Sequence, residues 1–228
     1  MKLTYLGHSG FMLEADGKTI LVDPFVTGNP ASTVEAGELA ADAILLTHAH
    51  NDHVGDTIAI AKRTGAVVIG TFELATWIGT QGVDNVIPGN HGGTIAFPGG
   101  TVKLVPAWHT SSFEVDGKIV APGVPAGLVV RFGEKTIYFA GDTCLFLDMQ
   151  LIADEDLDVA VLPIGDHFTM GPKDAARAAG MLRAGTVIPC HYNTFPPIQQ
   201  DAVAFKELVE SQTASRVLPL VPGESVEL

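Results

Sequence analysis

Apolar positions along the chain fall into short runs separated by Gly, Pro, Asp and Asn. Residues 2–6 alternate as a short strand. Gly7-His8-Ser9-Gly10 interrupts it, and Phe11-Met12-Leu13-Glu14 resumes the pattern. Asp16-Gly17 signals a hairpin turn, and Thr19-Ile20-Leu21-Val22 is the return strand, ended by Asp23-Pro24. Residues 25–36 form a loop rich in Gly, Asn, Pro, Ser and Thr. Such a loop is either mobile or laid over a site, and its composition does not decide between the two. Ala43-Ile44-Leu45-Leu46 reads as a buried strand. Residues 54–64 show helical patterning with Gly65 as C-cap, followed by a strand over 66–69 and a short helix over 72–79.

The second half repeats these signals. Residues 95–97 and 101–105 pattern as an antiparallel pair across Pro98-Gly99-Gly100. Residues 111–126 are an insert containing Gly and Pro, with a turn at Asp116-Gly117. Strands are expected over 128–132 and 136–140, joined at Gly133-Glu134, and over 157–164 and 186–189. Residues 172–182 predict an Ala-rich helix with Pro in its first turn. A final helix over 201–211 and a strand over 216–220 complete the chain. Each half thus shows β-rich segments followed by βα units, a loose repeat with no residue-level correspondence.

The polar residues that end these runs carry the chemistry. Thr47-His48-Ala49-His50-Asn51-Asp52-His53 places four metal-binding side chains within six positions, directly after an apolar strand. In extended backbone His48 and His50 point to the same side. Asp52 is either a ligand or the N-cap of the following helix, a common role for Asp at such a boundary. The stretch has no Cys, and imidazole with carboxylate suits Zn, Fe, Mn or Ni. Ligands this crowded do not close easily around one ion. Two adjacent ions are the economical solution, His48 and His50 on one, Asp52 and His53 on the other, with further ligands and a bridging carboxylate from elsewhere. His109, just past a strand, is a candidate third ligand for the first ion, with a surface His as the alternative. Asp142, at the end of an apolar strand and preceded by Gly141, suits the bridge. His167 and His191 also follow apolar strands, so reactive residues gather at strand ends, as in layered α/β proteins. His8, between glycines at a strand break, is either a simple exposed or core histidine or a group aimed at substrate or held behind a ligand. Cys144 reads as a small buried hydrophobe.

Composition narrows the class. At 228 residues the chain is long enough for one large domain or two small ones, and 46% apolar residues suffice for a core. A formal charge of −13 disfavours a broad nucleic-acid surface. It leaves room for a small anionic substrate, because bound metal ions can be the largest local charges in a site. Two Cys are too few for a disulfide framework, and no apolar run reaches the length of a membrane span. The first residues lack the charged and apolar regions of a signal peptide, so a cytoplasmic location is the default. Oligomeric state is left open.

Taken together, His48-Ala49-His50-Asn51-Asp52-His53, then His109, Asp142 in Gly-Asp-Thr, and His191 resemble the ordered metal motifs of the metallo-β-lactamase superfamily. The resemblance spans nearly the whole chain. It implies one α/β (α+β) domain over 1–228, an αββα four-layer sandwich of two mixed sheets flanked by helices, with metals at one edge. It further implies that His48, His50 and His109 hold one ion, that Asp52, His53 and His191 hold another, and that Asp142 bridges. Gly7-His8-Ser9-Gly10-Phe11 and the stretch from Pro163-Ile164-Gly165 to Thr169-Met170-Gly171 look like signatures of a compact, stand-alone group of predicted metal-dependent hydrolases. That group is similar in turn to ascorbate-6-phosphate lactonases. The implied activity is hydrolysis of a small ester, lactone or phosphoester by water activated between two divalent ions, zinc first among them. Asp52 would orient or deprotonate that water, and His8 and His167 would contact substrate or protonate the leaving group. Alternatives are a phosphodiesterase or nuclease-type hydrolase and a metal-binding sensor without turnover. No membrane partner is expected.

Overall fold

The computed structural model describes residues 1–115 and 117–228. Alternating apolar residues build a meander first: β1 (Lys2–Gly7), β2 (Gly10–Ala15) and β3 (Lys18–Val22) pair antiparallel. Asp16 and Gly17 turn the β2–β3 hairpin with φ of 52° and 73°, the doubly positive geometry a tight two-residue turn requires. The sheet then becomes parallel through β4 (Ala43–Leu45), β5 (Val67–Thr71) and β6 (Val86–Gly89), with helices α1 (Asn51–Val54), α2 (Thr57–Thr64) and α3 (Phe72–Thr80) between them.

The second half follows the same plan. β7 (Thr94–Phe97) and β8 (Gly100–Pro106) form the expected antiparallel pair. A separate hairpin, β9 (Phe113–Val115) with β10 (Lys118–Val120), occupies the insert; Asp116, the first residue of its expected turn, lies outside the described residues. β11 (Ala126–Phe132) and β12 (Lys135–Phe139) continue the sheet antiparallel. The short helix α4 (Met149–Ile152) leads to β13 (Val159–Pro163), then α5 (Pro172–Leu182), β14 (Thr186–Cys190), α6 (Ala202–Gln212) and β15 (Arg216–Val217), the three strands pairing in parallel. A last strand, β16 (Ser225–Glu227), returns to pair with β1. Two seven-stranded mixed sheets result, in the orders β16-β1-β2-β3-β4-β5-β6 and β15-β14-β13-β12-β11-β8-β7.

Side-chain alternation assigns the layers. Leu3, Phe11, Leu13, Ile20 and Leu45 of the first sheet pack against Val102, Leu104, Leu128, Val130 and Phe139 of the second. The other face of the second sheet, with Val129, Ala160 and Val187, is covered by Ala175, Ala179 and Leu182 of α5 and by Phe205 and Val209 of α6. Ile44, Leu46 and Val68 on the outer face of the first sheet meet Ile60 and Ala61 of α2 and Leu74 and Ile78 of α3. The layers therefore run helix, sheet, sheet, helix, and each fully buried Leu, Ile or Phe stabilises them by about 1.5–3 kcal/mol. β13 and β14 are buried at every residue, as parallel strands covered on both faces must be. No helix is long and apolar enough to cross a membrane among the described residues.

The expected continuous helix over 54–64 is broken in two. Gly55 takes φ 43° and ψ −122°, and a Cβ there would sit 2.5 Å from the Pro24 carbonyl oxygen. The break lets α1 aim ligands inward while α2 turns Ile60 and Ala61 onto the sheet. It also pins the loop after β3: the Asp56 carboxylate accepts the N–H groups of Val26 and Thr27 at 3.0 and 2.8 Å.

Candidate metal centre

Strand ends bring the reactive residues to one edge of the sandwich. β4 runs straight into Thr47 to His50, and α1 then presents Asp52 and His53 from a single turn. His50 occupies the N-cap position of α1 and Asp52 lies in its first turn, so Asp52 does not cap it. β8 leads to His109, β12 to Asp142, β14 to His191 and β1 to His8. Gly141 makes one of these approaches possible: its φ is 61°, and a Cβ would come within 2.8 Å of the Thr47 side chain, so only glycine lets Asp142 in this close.

Two groups of ligand atoms form, each with its members within 4.8 Å of one another: His48, His50, His109 and Asp142, and His8, Asp52, His53 and His191. Asp142 touches both. Its Oδ2 lies 3.4 Å from His109 Nε2 and 3.1 Å from His191 Nε2, and its Oδ1 lies 3.3 Å from His53 Nε2. All seven residues expected as ligands are thus brought together, and His8 joins them.

Asp23, 1% exposed, sets the ring orientations from behind. It accepts the His53 Nδ1 proton at 2.7 Å, the Thr47 hydroxyl at 2.5 Å and the Thr47 N–H at 2.9 Å. With its proton committed to Asp23, Thr47 Oγ1 accepts from His48 Nδ1, 3.0 Å away. His53 and His48 therefore both turn Nε2 inward. His50 does the reverse: its Nε2 faces Thr110 Oγ1 at 3.3 Å, leaving Nδ1 to face His48 Nε2 at 3.0 Å. Histidine ligands held this way by their second nitrogen are the usual design of a metal site.

The orphaned atoms show that a cation fits. His53 Nε2, Asp142 Oδ1 and both ring nitrogens of His191 are buried without a hydrogen-bond partner. Each such atom costs about 1–3 kcal/mol, and three of them, His53 Nε2, Asp142 Oδ1 and His191 Nε2, converge. His53 Nε2 and Asp142 Oδ1 would point lone pairs at each other unless a positive charge lay between them. The electrostatics agree. Burial pulls the His53 imidazole down, yet Asp142 and Asp23 outweigh it and hold the ring well above its usual range. Burial works against the Asp142 carboxylate too, yet His191 and His53 hold it well below the ordinary range. Burial and the neighbouring His53 keep His48 neutral. In the metal-free cluster a proton near His53 supplies that positive charge, and a bound ion would displace it.

His8 lies behind this centre, fully buried. Its Nε2 is 3.1 Å from Asp52 Oδ2 and its Nδ1 2.9 Å from Thr194 Oγ1. Burial lowers its pKa to about 4 despite the Asp52 carboxylate, so the ring is neutral at pH 7. Burial raises Asp52, but the hydrogen bond from His8 and the charge of His53 hold it well below the usual range, as an anion. Of the roles expected for His8, this geometry favours the one behind a ligand. His167 stands outside both groups: it is exposed, in left-handed backbone at φ 43°, with its ring edge-on to Phe168 at 4.4 Å. Cys144, expected as a buried hydrophobe, is exposed, because the chain past β12 reaches the surface directly after the buried Asp142 and Thr143.

Asp23, Thr47 and Thr194 were not evident as site residues from sequence. Asp23 carries the signal that marks Asp142, a carboxylate ending an apolar strand; Thr47 and Thr194 are ordinary hydroxyl residues with no such mark.

An αββα sandwich carrying a His-x-His-x-Asp-His turn, a strand-end Asp and two further strand-end His at one edge defines the metallo-β-lactamase fold. A family model described as a Beta-lactamase superfamily domain matches residues 2–191. The chain belongs to the metallo-β-lactamase superfamily, among its metal-dependent hydrolases. It is 53% identical over 231 residues to a UPF0173 metal-dependent hydrolase of Shouchella clausii, covering 100% of both chains. A protein of the same name from Thermus thermophilus is 52% identical over 229 residues, covering 100% of this chain and 99% of that one. The solved structure of Igni18, a novel metallo hydrolase from the hyperthermophilic archaeon Ignicoccus hospitalis, is 40% identical, with a TM-score of 0.89 over 99% of this chain and 97% of that one.

Proposed function

We propose that this chain hydrolyses a small, anionic ester, lactone or phosphoester with two divalent transition-metal ions, zinc first among the candidates. The observation that carries this reading is the contact of Asp142 with histidines of both ligand groups. His48, His50 and His109 would hold one ion, Asp52, His53 and His191 the other, with Asp142 between the two groups. Bound there, the ions supply a nucleophile from water near neutral pH and polarise the bond under attack. Asp52, held anionic by His8, would orient that water. Asp23 and Thr47 keep the His48 and His53 rings aimed so that the site needs no rearrangement when substrate arrives. His167, exposed beside Phe168, contacts the substrate or protonates the leaving group. The formal charge of −13 supports a modest substrate rather than a nucleic acid, whose phosphates need many basic contacts. The free Cys144 and Cys190 suit a cytoplasmic setting.

A panel of lactones, carboxylic esters, phosphodiesters and β-lactams tests this. The expected result is turnover of one small class by metal-loaded protein, abolished by chelation and by Asp52→Ala. His167→Ala should keep its metal and lose about 100-fold or more in turnover, the usual scale for a missing general acid. Cleavage of structured RNA with none of the small substrates turned over would point to a nuclease, and metal binding with no turnover at all to a sensor.

A further inference from the structure

The turn that follows β14 does more than supply His191. We propose that Thr194 is a positioning residue for Asp52, acting through the His8 ring. His191 and Asn193 both lie in left-handed backbone, with φ of 53° and 59°, and this folds residues 191–194 back over the end of β1. Two bonds then meet at His8. The His191 N–H donates to the His8 carbonyl oxygen at 2.7 Å, an oxygen that also accepts the Tyr5 hydroxyl at 2.9 Å. The Thr194 hydroxyl, itself buried, meets His8 Nδ1 at 2.9 Å; its alternative partner, the Tyr192 carbonyl, is farther, at 3.4 Å. The opposite nitrogen of the same ring reaches Asp52 Oδ2 at 3.1 Å.

His8 is boxed in by rings, Phe25 and Phe195 edge-on at 5.9 and 5.4 Å and His191 at 4.1 Å. Packing alone restricts the ring's position, but an imidazole can still rotate about its last bond. The Thr194 bond removes that freedom. An ionised carboxylate only accepts hydrogen bonds, so the nitrogen facing Asp52 carries a proton. Thr194 pairs the other nitrogen and holds this arrangement. Asp52 thereby has Oδ2 engaged and Oδ1 left for the cation. One turn sets two ligands of the same group: His191 directly, and Asp52, from the other half of the chain, by relay.

The metal arm of the test rests on the two-ion reading above; the second arm does not. Thr194→Val keeps the side-chain shape and removes the bond, while Thr194→Ser keeps the hydroxyl. Calorimetric titration of metal-free protein with Zn²⁺ should show one of two binding steps weakened about 10–100-fold in Thr194→Val, the range for losing a group that orients a ligand. The other step should be unchanged and Thr194→Ser close to the parent. In the second arm, the ¹⁵N resonance of His8 Nδ1 in metal-free protein should move in Thr194→Val and stay in place in Thr194→Ser. Parent-like binding and an unmoved resonance in Thr194→Val would overturn the proposal, as would equal weakening of both steps, which marks a general structural role. A parent that binds one ion only would defeat the two-ion reading, and the resonance would then decide the role of Thr194 alone. Should Thr194→Val fail to fold, Thr194→Cys, a much weaker donor, takes its place with the same expectations.

Discussion

Asp23 sits at the centre of the ring orientations without belonging to either ligand group. It holds His53 directly and His48 through Thr47, so one oxygen, Oδ2, governs one histidine in each group while Oδ1 accepts the Thr47 N–H. Asp23→Asn keeps the size but sets an NH2 against either the Thr47 N–H or the pair of His53 Nδ1–H and Thr47 hydroxyl, so at least one of its three donors loses its acceptor and the side chain shifts. Cation affinity should fall about 10–100-fold at both sites, as for other residues that orient metal-binding histidines. Metal titration against the parent checks this, and a loss confined to one site would show that Thr47 orients His48 unaided. The residue scale also shows what the sequence exposed and what it hid. All seven expected ligands meet because each is a strongly coordinating type at a strand end or, for Asp52 and His53, in the helical turn directly after one, where chain direction brings them to one edge. Thr47 and Thr194 act through hydroxyls, and a hydroxyl announces nothing until its neighbours in space are known. His8 was visible as a histidine between glycines, but its burial followed from the packing of Phe25 and Phe195, which lie 17 and 187 positions away in the chain.

At the level of elements, apolar period and turn chemistry identified most strands and the longer helices. α5 matches its expected span of Pro172–Leu182, with Ala175, Ala178, Ala179 and Leu182 forming one buried stripe. The elements that escaped have physical reasons to do so. β6 carries Pro88 and ends its sheet, where a missing N–H is tolerated. β16 ends the same sheet on the other side and exposes Ser225 and Glu227, so it shows little apolar pattern. α4 has four residues, too few for helical periodicity to register. The break between α1 and α2 depends on the Pro24 carbonyl, which periodicity does not see. Gly55→Ala should therefore lower stability by about 1–3 kcal/mol, the scale for a non-glycine residue forced into such backbone. The denaturation midpoint of metal-free protein measures it. A variant as stable as the parent would show that the loop after β3 yields easily.

Across the whole molecule, two halves of like topology face each other, and their strand ends meet at one candidate metal centre. The loose repeat seen in the sequence is this shared plan: an antiparallel meander continued by parallel strands in each sheet. Acidic groups also tie distant elements. Glu155, just after α4, meets Lys103 of β8 at 2.6 Å and Arg131 of β11 at 2.8 Å. The Lys103 hydrogen bond, then that of Arg131, holds its carboxyl below the ordinary range. A depressed carboxyl adds stability that is complete above its unfolded pKa and disappears as pH falls through the folded value. Stability of the metal-free protein should therefore decline as pH drops below about 4.3, the ordinary glutamate value. Glu155→Gln should make that decline shallower, and chemical denaturation across the acid range will show whether it does.

The two halves are proposed to hold two ions between them, with Asp142 in common. Elemental analysis of protein stripped of metal, reloaded with excess Zn²⁺ and desalted tests it most directly. Two ions per chain in the parent, with both sites weakened in Asp142→Ala, is the predicted result, by the two-metal logic of a shared carboxylate. Saturation at one ion per chain, or an Asp142→Ala variant that loses one ion and binds the other with undiminished affinity, would contradict it.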